Sequence, residues 1–188
     1  MRHLSAGVQG EDWWYTECML IELSQLKGLP VASLNDEATI GMIDDTLIHP
    51  DTGEVIGFWV KPPGWFVSKQ ALSSRDVAAY EAGAILVNSA DSLVAPDDMQ
   101  PFKSVAKRND RWLGKAVETE SGEQLGKVTD AIVDTDLERL AKIHIGSLFG
   151  PDRILSRNEI VKVTKTRIIV LDALESKTPG VVVPEVAA

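Results

Sequence analysis

Polar and apolar residues alternate along this chain in short bursts, and the period within them is two. "LPVASL" at 29–34, "EVIGFWV" at 54–60, "AILV" at 84–87, "KAVETE" at 115–120 and "RIIV" at 167–170 are such bursts. They are rich in β-branched and aromatic residues and bounded by Gly, Pro and Asp, which predicts short strands. Two stretches lack this character, "SSRDVAAYEAG" at 73–83 and "PDDMQPFKSVAKRND" at 96–110. The second, with Asp97 as a cap, predicts a short helix or linker.

The bursts come in the same order twice, at a spacing near 85 residues. "LKGLPVASL" (26–34) matches "WLGKAVETE" (112–120) through Gly28/Gly114 and Val31/Val117. "IGMIDDTLIHPDTG" (40–53) matches "LGKVTDAIVDTDLE" (125–138), with Gly41, Asp45 and Asp51 falling on Gly126, Asp130 and Asp136. Phe58 and Val60 then fall on Ile143 and Ile145. "FVSKQAL" (66–72) is matched to "ILSRNEI" (154–160) through Ser68/Ser156 and Lys69/Arg157, and "AILV" to "RIIV". A fixed-period self-match of this kind implies a duplicated structural unit. The offset drifts only across turn-like stretches, where insertions are tolerated.

Each unit of about 70 residues, with five or six strands, predicts a small closed β-barrel, an architecture that leaves no sheet edge exposed. "PDTGE" at 50–54 is a tight-turn signal. The second copy, "DTDLERL", lacks the turn glycine and predicts a different or longer turn. Gly41 and Gly126 predict a bulge or bend inside a strand. Asp45 and Asp130 predict carboxylates that accept backbone N–H groups across that bend. The fold class is therefore all-β: two tandem small antiparallel barrels with a short helical linker. The expected boundaries are an N-terminal extension at 1–18, barrels at 19–95 and 111–173, a linker at 96–110 and a disordered tail at 174–188.

The run from "LKGLPV" through "IGMIDDTLIHPDTGEVIGFWV" and "FVSKQAL" to "AILVNSADSLV" resembles a PRC-barrel domain. "LGKAVETESGEQLGKVTDAIVDTD" with "RILSRNEIVKVTKTRIIV" resembles it equally, "TESGEQLGKVTD" being its most typical piece. That small barrel occurs in the photosynthetic reaction-centre H subunit and at the C-terminus of a ribosome-maturation factor. The resemblance covers roughly 19–95 and 111–173 and carries no catalytic motif. One departure is Ala38–Thr39, near which a glycine turn like Ser121–Gly122 is expected. Chains of this type open directly into the first strand, which makes Met19 an expected natural start. The alternative is that "DWWYTEC" packs Trp13, Trp14 and Tyr15 on a barrel or partner.

The net charge is −9, and its distribution changes the picture. Residues 26–98 hold four Lys/Arg and eleven Asp/Glu, whereas 103–175 hold thirteen and twelve. An acidic first unit is a poor surface for phosphate backbones, so any nucleic-acid contact falls to the second. No apolar run approaches the roughly 18–20 residues of a membrane span, and the chain reads as cytoplasmic. The single Cys18 offers no internal disulfide.

No chemistry-bearing constellation stands out. His3, His49 and His144 lack metal-ligand spacing, and no nucleophile elbow, P-loop or GxGxxG is present. The reading is non-enzymatic, with no catalytic residue, metal or cofactor. His49 beside Asp51 reads as a turn residue rather than a general base. "GFWVKPPGWFV" (57–67) supplies the expected partner-binding residues, Trp59, Lys61, Trp65 and Phe66, because aromatic side chains bury much area with few rotors. Lys103, Lys107, Arg108 and Arg111 form a basic contact patch for RNA or an acidic partner. It also reads as a solvated face, or as one that pairs with the acidic first barrel. Lys162, Lys165 and Arg167 lie further on.

These observations imply a protein-binding adaptor or assembly module docking on a larger complex. The alternatives are an RNA- or ribosome-associated factor using the basic second unit, and a small-ligand carrier. The resemblance implies partners that range from ribosomal and RNA-processing contexts to membrane-bound electron-transfer complexes and archaeal cell-division assemblies. Homo-oligomerisation is compatible with all of them. The tail, with Pro179, Gly180 and Pro184, reads as disordered, and addition of Val181–Val183 to a partner's sheet edge is the alternative.

Overall fold

The computed structural model describes residues 19–64, 66–81, 83–108, 110–147 and 151–172. The expectations for 1–18, for Trp65 and for the tail at 174–188 fall outside them, as does residue 173 of the second expected barrel. The chain enters through β1 (Leu20–Glu22) and a single helical turn, α1 (Leu23–Leu26). The first unit follows as β2 (Pro30–Ser33), β3 (Ala38–Ile48), β4 (Val55–Lys61), β5 (Gln70–Ser73), β6 (Val77–Glu81), β7 (Ala84–Val87) and β8 (Leu93–Val94). Helix α2 (Gln100–Arg108) leads to the second unit. Its strands are β9 (Ala116–Thr119), β10 (Gln124–Asp134), β11 (Arg139–Gly146), β12 (Arg153–Ser156), β13 (Ile160–Val163) and β14 (Arg167–Val170).

The duplication read from the sequence is a duplication of topology. One sheet runs β6-β7-β2-β3-β4-β5-β8 and the other β13-β14-β9-β10-β11-β12. Every ladder is antiparallel except β2–β7 and β9–β14, which are parallel. In each sheet the strands β5 and β6, or β12 and β13, lie at or near opposite ends of the order. They are nonetheless joined by one 3-10 turn, Ser74–Asp76 or Arg157–Glu159. Three residues reach only about 11 Å, so each sheet must curl until its ends meet. Closure therefore comes from a covalent corner, and not from a continuous ring of ladder bonds.

The bulges that permit the curl sit where the sequence put them. The β2–β3 register slips between Gly41 and Thr39, and β9–β10 slips between Gly126 and Gln124. A Cβ on Gly126 would lie 2.3 Å from the Gly146 carbonyl oxygen, and Gly126 has φ +137°. A Cβ on Gly41 would lie 2.5 Å from Val60 Cγ1, a side chain in the barrel core. A second slip frees Asp44 on β3 and Thr129 on β10. Immediately after it, Asp45 Oδ1 accepts from Thr46 N (3.0 Å) and Asp130 Oδ1 from Ala131 N (2.7 Å). Each carboxylate thus caps an amide beside a bulge.

Three expectations need correction. The stretch 73–83 is a 3-10 corner followed by β6, and not a strandless segment. The fourth repeat match was also misaligned. Ser156 caps its 3-10 turn through Asn158 N, and the residue doing so in the first unit is Ser73, through Arg75 N. Hence "ALSSRDV" (71–77), not "FVSKQAL", matches "ILSRNEI" (154–160). Finally, the β10–β11 turn is neither longer nor of another kind. Glu138 (φ +48°) takes the left-handed position held by Gly53 (φ +77°). In the same way Glu37 (φ +50°) takes the place of Gly122 (φ +91°), so the missing glycine's site is Glu37, not Ala38–Thr39. Each unit has one of its two turn glycines replaced by a glutamate.

The two barrels are not beads on a string. β1 precedes the first unit in sequence but pairs with β10 of the second, Leu20–Glu22 opposite Asp134–Ile132. Glu54 bridges to Arg139, Val55 N donates to Glu138 O (2.8 Å) and Leu140 N donates to Gly53 O (2.8 Å). Leu26 and Trp112, equivalent in the repeat, are both buried, and one hydrophobic cluster runs through both units. The interiors are filled by that cluster, including Val31, Phe58, Val60, Leu72 and Ile85 in one and Ile143, Ile145 and Ile168 in the other.

Candidate functional site

The hairpin turn at His49–Glu54 is the junction of the molecule. His49 Nδ1 accepts from Asp51 N and Thr52 N, both at 3.3 Å. At the equivalent turn Asp134 Oδ1 accepts from Asp136 N (3.0 Å) and Leu137 N (2.9 Å). The imidazole Nδ1 therefore does the work of the side-chain oxygen in an Asx turn, which accounts for the His49–Asp51 pair as a turn feature. From the same turn, Asp51 accepts a forked pair of bonds from Arg108 (2.7 and 3.1 Å) and His49 O accepts from Trp112 Nε1 (3.4 Å). Arg157 Nη2 reaches Asp51 O (3.2 Å).

Three of the four basic residues of the linker have acidic neighbours. Lys103 meets Asp97 (3.0 Å), Arg108 meets Asp51 and, at 3.7 Å, Asp110, and Arg111 meets Asp45 (3.4 Å). Lys107 is exposed on α2, as are Lys162 and Lys165 further on, while Arg167 contacts Glu118 at 3.1 Å. Asp51 is held below the usual carboxylate range by its hydrogen bond from Arg108, and Asp97 by that from Lys103. Asp36 is lowered by Ser33 and the Ala90 amide, Asp172 by the Ser121 amide. Four carboxylates with depressed folded-state values add stability that is present above about pH 4 and lost as pH falls through the folded values. Urea midpoints measured between pH 7 and pH 2.5 should fall at the acid end. Arg108→Gln should flatten that fall.

Between α2 and the first barrel lies a groove of about 410 Å³. Its floor is the outer half of β3, Asp44 to Ile48, its walls Trp59, Lys69, Val105 and the segment 110–113. Leu23, from the turn that packs on the second unit, closes one end. Trp59 is half-buried, its ring meeting Phe102 of α2 edge-on at 4.8 Å and 73°. Lys69 pairs with Asp44. Beside the groove runs the β4–β5 loop, where Lys61 and Pro63 are exposed, Val67 is 46% exposed and Phe66 is fully exposed. The structure thus separates the expected partner-binding residues. Trp59 anchors the linker helix, whereas Phe66 and Lys61 stand in solvent. Lys69 and Leu23 were not singled out by sequence reasoning as site residues; Lys69 had shown itself only as a basic residue in the repeat.

Among the described residues the remaining ionisable groups form no reactive assembly. His144 Nε2 is buried and unbonded, 3.9 Å from Glu22 Oε1. Tyr80, half-buried and edge-on against Phe58, has its hydroxyl pushed up by desolvation. Among the described residues no group of three or more His, Cys, Asp or Glu is placed to hold a metal.

A duplicated, side-chain-filled β-barrel closed by 3-10 corners defines the fold class. The PRC-barrel domain family model matches residues 19–94 and again 106–176. The chain belongs to the PRC-barrel family and carries two copies of the domain. A search of curated proteins found no match.

Proposed function

We propose that this chain is a non-enzymatic docking module, an adaptor or assembly factor that binds a larger protein complex through the β4–β5 loop of its first barrel. The observation that carries the reading is Phe66, fully exposed next to Val67 and a Pro-Pro-Gly turn in the loop between β4 and β5. A solvated phenylalanine beside a groove has the character of an interface anchor, since aromatic residues supply much of the energy of hot spots. Family membership supports a non-catalytic module. Among the described residues no helix is long and apolar enough to cross a membrane. We place the protein in the cytoplasm on its composition.

The RNA reading draws less support, because Lys103 and Arg108 are committed to acidic partners at 3.0 and 2.7 Å. A small-ligand carrier needs an open barrel, and these interiors are filled. The test is tagged capture from native lysate, with and without nuclease, comparing the wild type with Phe66→Ser. The expected result is a discrete nuclease-resistant protein that the variant loses at unchanged melting temperature. Recovery that disappears with nuclease, or that Phe66→Ser leaves intact, would overturn the proposal.

A further inference from the structure

The two long strands β3 and β10 are equivalent, but their outer halves are not equally covered. On β10 the edge facing β9 continues past the end of β9 into β1, with Ile21 opposite Val133 and Thr135 N donating to Met19 O (3.1 Å). On β3 the bonds to that side end at Ile43, whose N–H reaches Leu29 O (2.8 Å) and whose C=O takes Gly28 N (2.8 Å). Among the described residues no strand pairs with β3 on that side beyond this point. His49 N bonds Glu54 O across the hairpin, so alternation turns the N–H and C=O of Ile48 the other way, toward the edge. Ile48 is the counterpart of Val133. Helix α2 packs Phe102 on Trp59 here but offers no ladder, and the groove lies between. A buried backbone edge without a partner is a site for strand addition.

We propose that the outer half of β3 receives an extended segment of a partner protein, one residue of which is apolar and is followed by an acidic residue. This rests on the docking reading above and names the form of the ligand. β1 is the template for it: Leu20, Ile21 and Glu22 lie along β10, with Ile21 buried and Glu22 toward His144. Charge argues the same way. In both ion pairs of the groove the cation is the more exposed member, Lys69 at 52% against Asp44 at 33% and Arg111 at 72% against Asp45 at 36%. The groove therefore offers its positive groups outward, to an acidic side chain.

The probe is the capped peptide Met-Leu-Ile-Glu-Leu-Ser-Gln, the sequence of residues 19–25, titrated into the full chain and followed by backbone amide NMR. Saturable shifts are expected at Leu47, Ile48 and His49. The same peptide N-methylated at its isoleucine, which cannot complete the ladder, should bind at least tenfold more weakly. Arg111→Glu should weaken the parent peptide several-fold. Shifts at Ile132–Asp134 instead, equal binding of the N-methyl peptide, or no saturable shift would overturn the proposal. So would amides at 47–49 already protected in the free chain, or shifted by raising its concentration, because another segment or a second copy would then hold the edge. If capture through Phe66 survives while the peptide fails, the docking reading stands without this edge. Peptide binding without capture would sink the docking reading instead.

Discussion

Trp112→Ala should cost about 3–5 kcal/mol, as removal of a large buried aromatic generally does. The indole is 3% exposed and belongs to the cluster that runs through both barrels. Its Nε1 donates to His49 O in the junction turn (3.4 Å), and its backbone oxygen accepts from Lys115 N (3.4 Å). Truncation leaves a cavity between two sheets that are each held by their own ladders, and neither can easily collapse into it. The loss should therefore be felt by both units together. Urea unfolding followed by circular dichroism would show one transition moved to lower denaturant. If the second barrel kept its midpoint while the first lost stability, Trp112 would be a residue of one barrel and no joint.

Lys115→Ala is expected to be comparably damaging, about 3–5 kcal/mol, through an electrostatic route. Lys115 Nζ donates to Asp110 and to Thr164 O, and both side chains of the pair are almost fully buried, 3% and 6% exposed. Removing the ammonium leaves a buried carboxylate whose remaining cation, Arg108, is 3.7 Å away and itself committed to Asp51. Desolvation of the orphaned charge, more than loss of the pair's attraction, sets the cost. Replacing both partners by apolar residues, Lys115→Met with Asp110→Leu, should therefore recover most of the loss. A double-mutant cycle measures this directly, and two additive single losses would contradict it.

The sequence made one kind of information readable and hid another. Gly41 and Gly126, with Asp45 and Asp130 four residues on, are local requirements of a bulge, so they survive in both copies and announce the repeat. Turn geometry was less legible, because Glu37 and Glu138 hold left-handed positions that composition would assign to glycine. The "FVSKQAL" match failed because a shared Ser and a basic residue outweighed the capping pattern of Ser73 and Ser156. Long-range pairing was not legible at all. Nothing in "LIE" says that it will leave its own unit and lie on β10, since the pairing depends on an edge built more than a hundred residues later. For the site, the loop carrying Phe66 and Lys61 stood out as an aromatic run, while the contact of Trp59 with Phe102 of the linker helix was not legible. The groove needed β3, Lys69 and α2 brought together by the fold.

The fusion of two barrels into one unit is the claim on which the junction, the groove and the proposed docking edge all depend. Differential scanning calorimetry of the intact chain tests it most directly. A single transition with calorimetric and van't Hoff enthalpies equal is the predicted result. Two transitions, or a calorimetric enthalpy near twice the van't Hoff value, would show barrels that melt independently, and the shared core would then be a contact and not a bond between them.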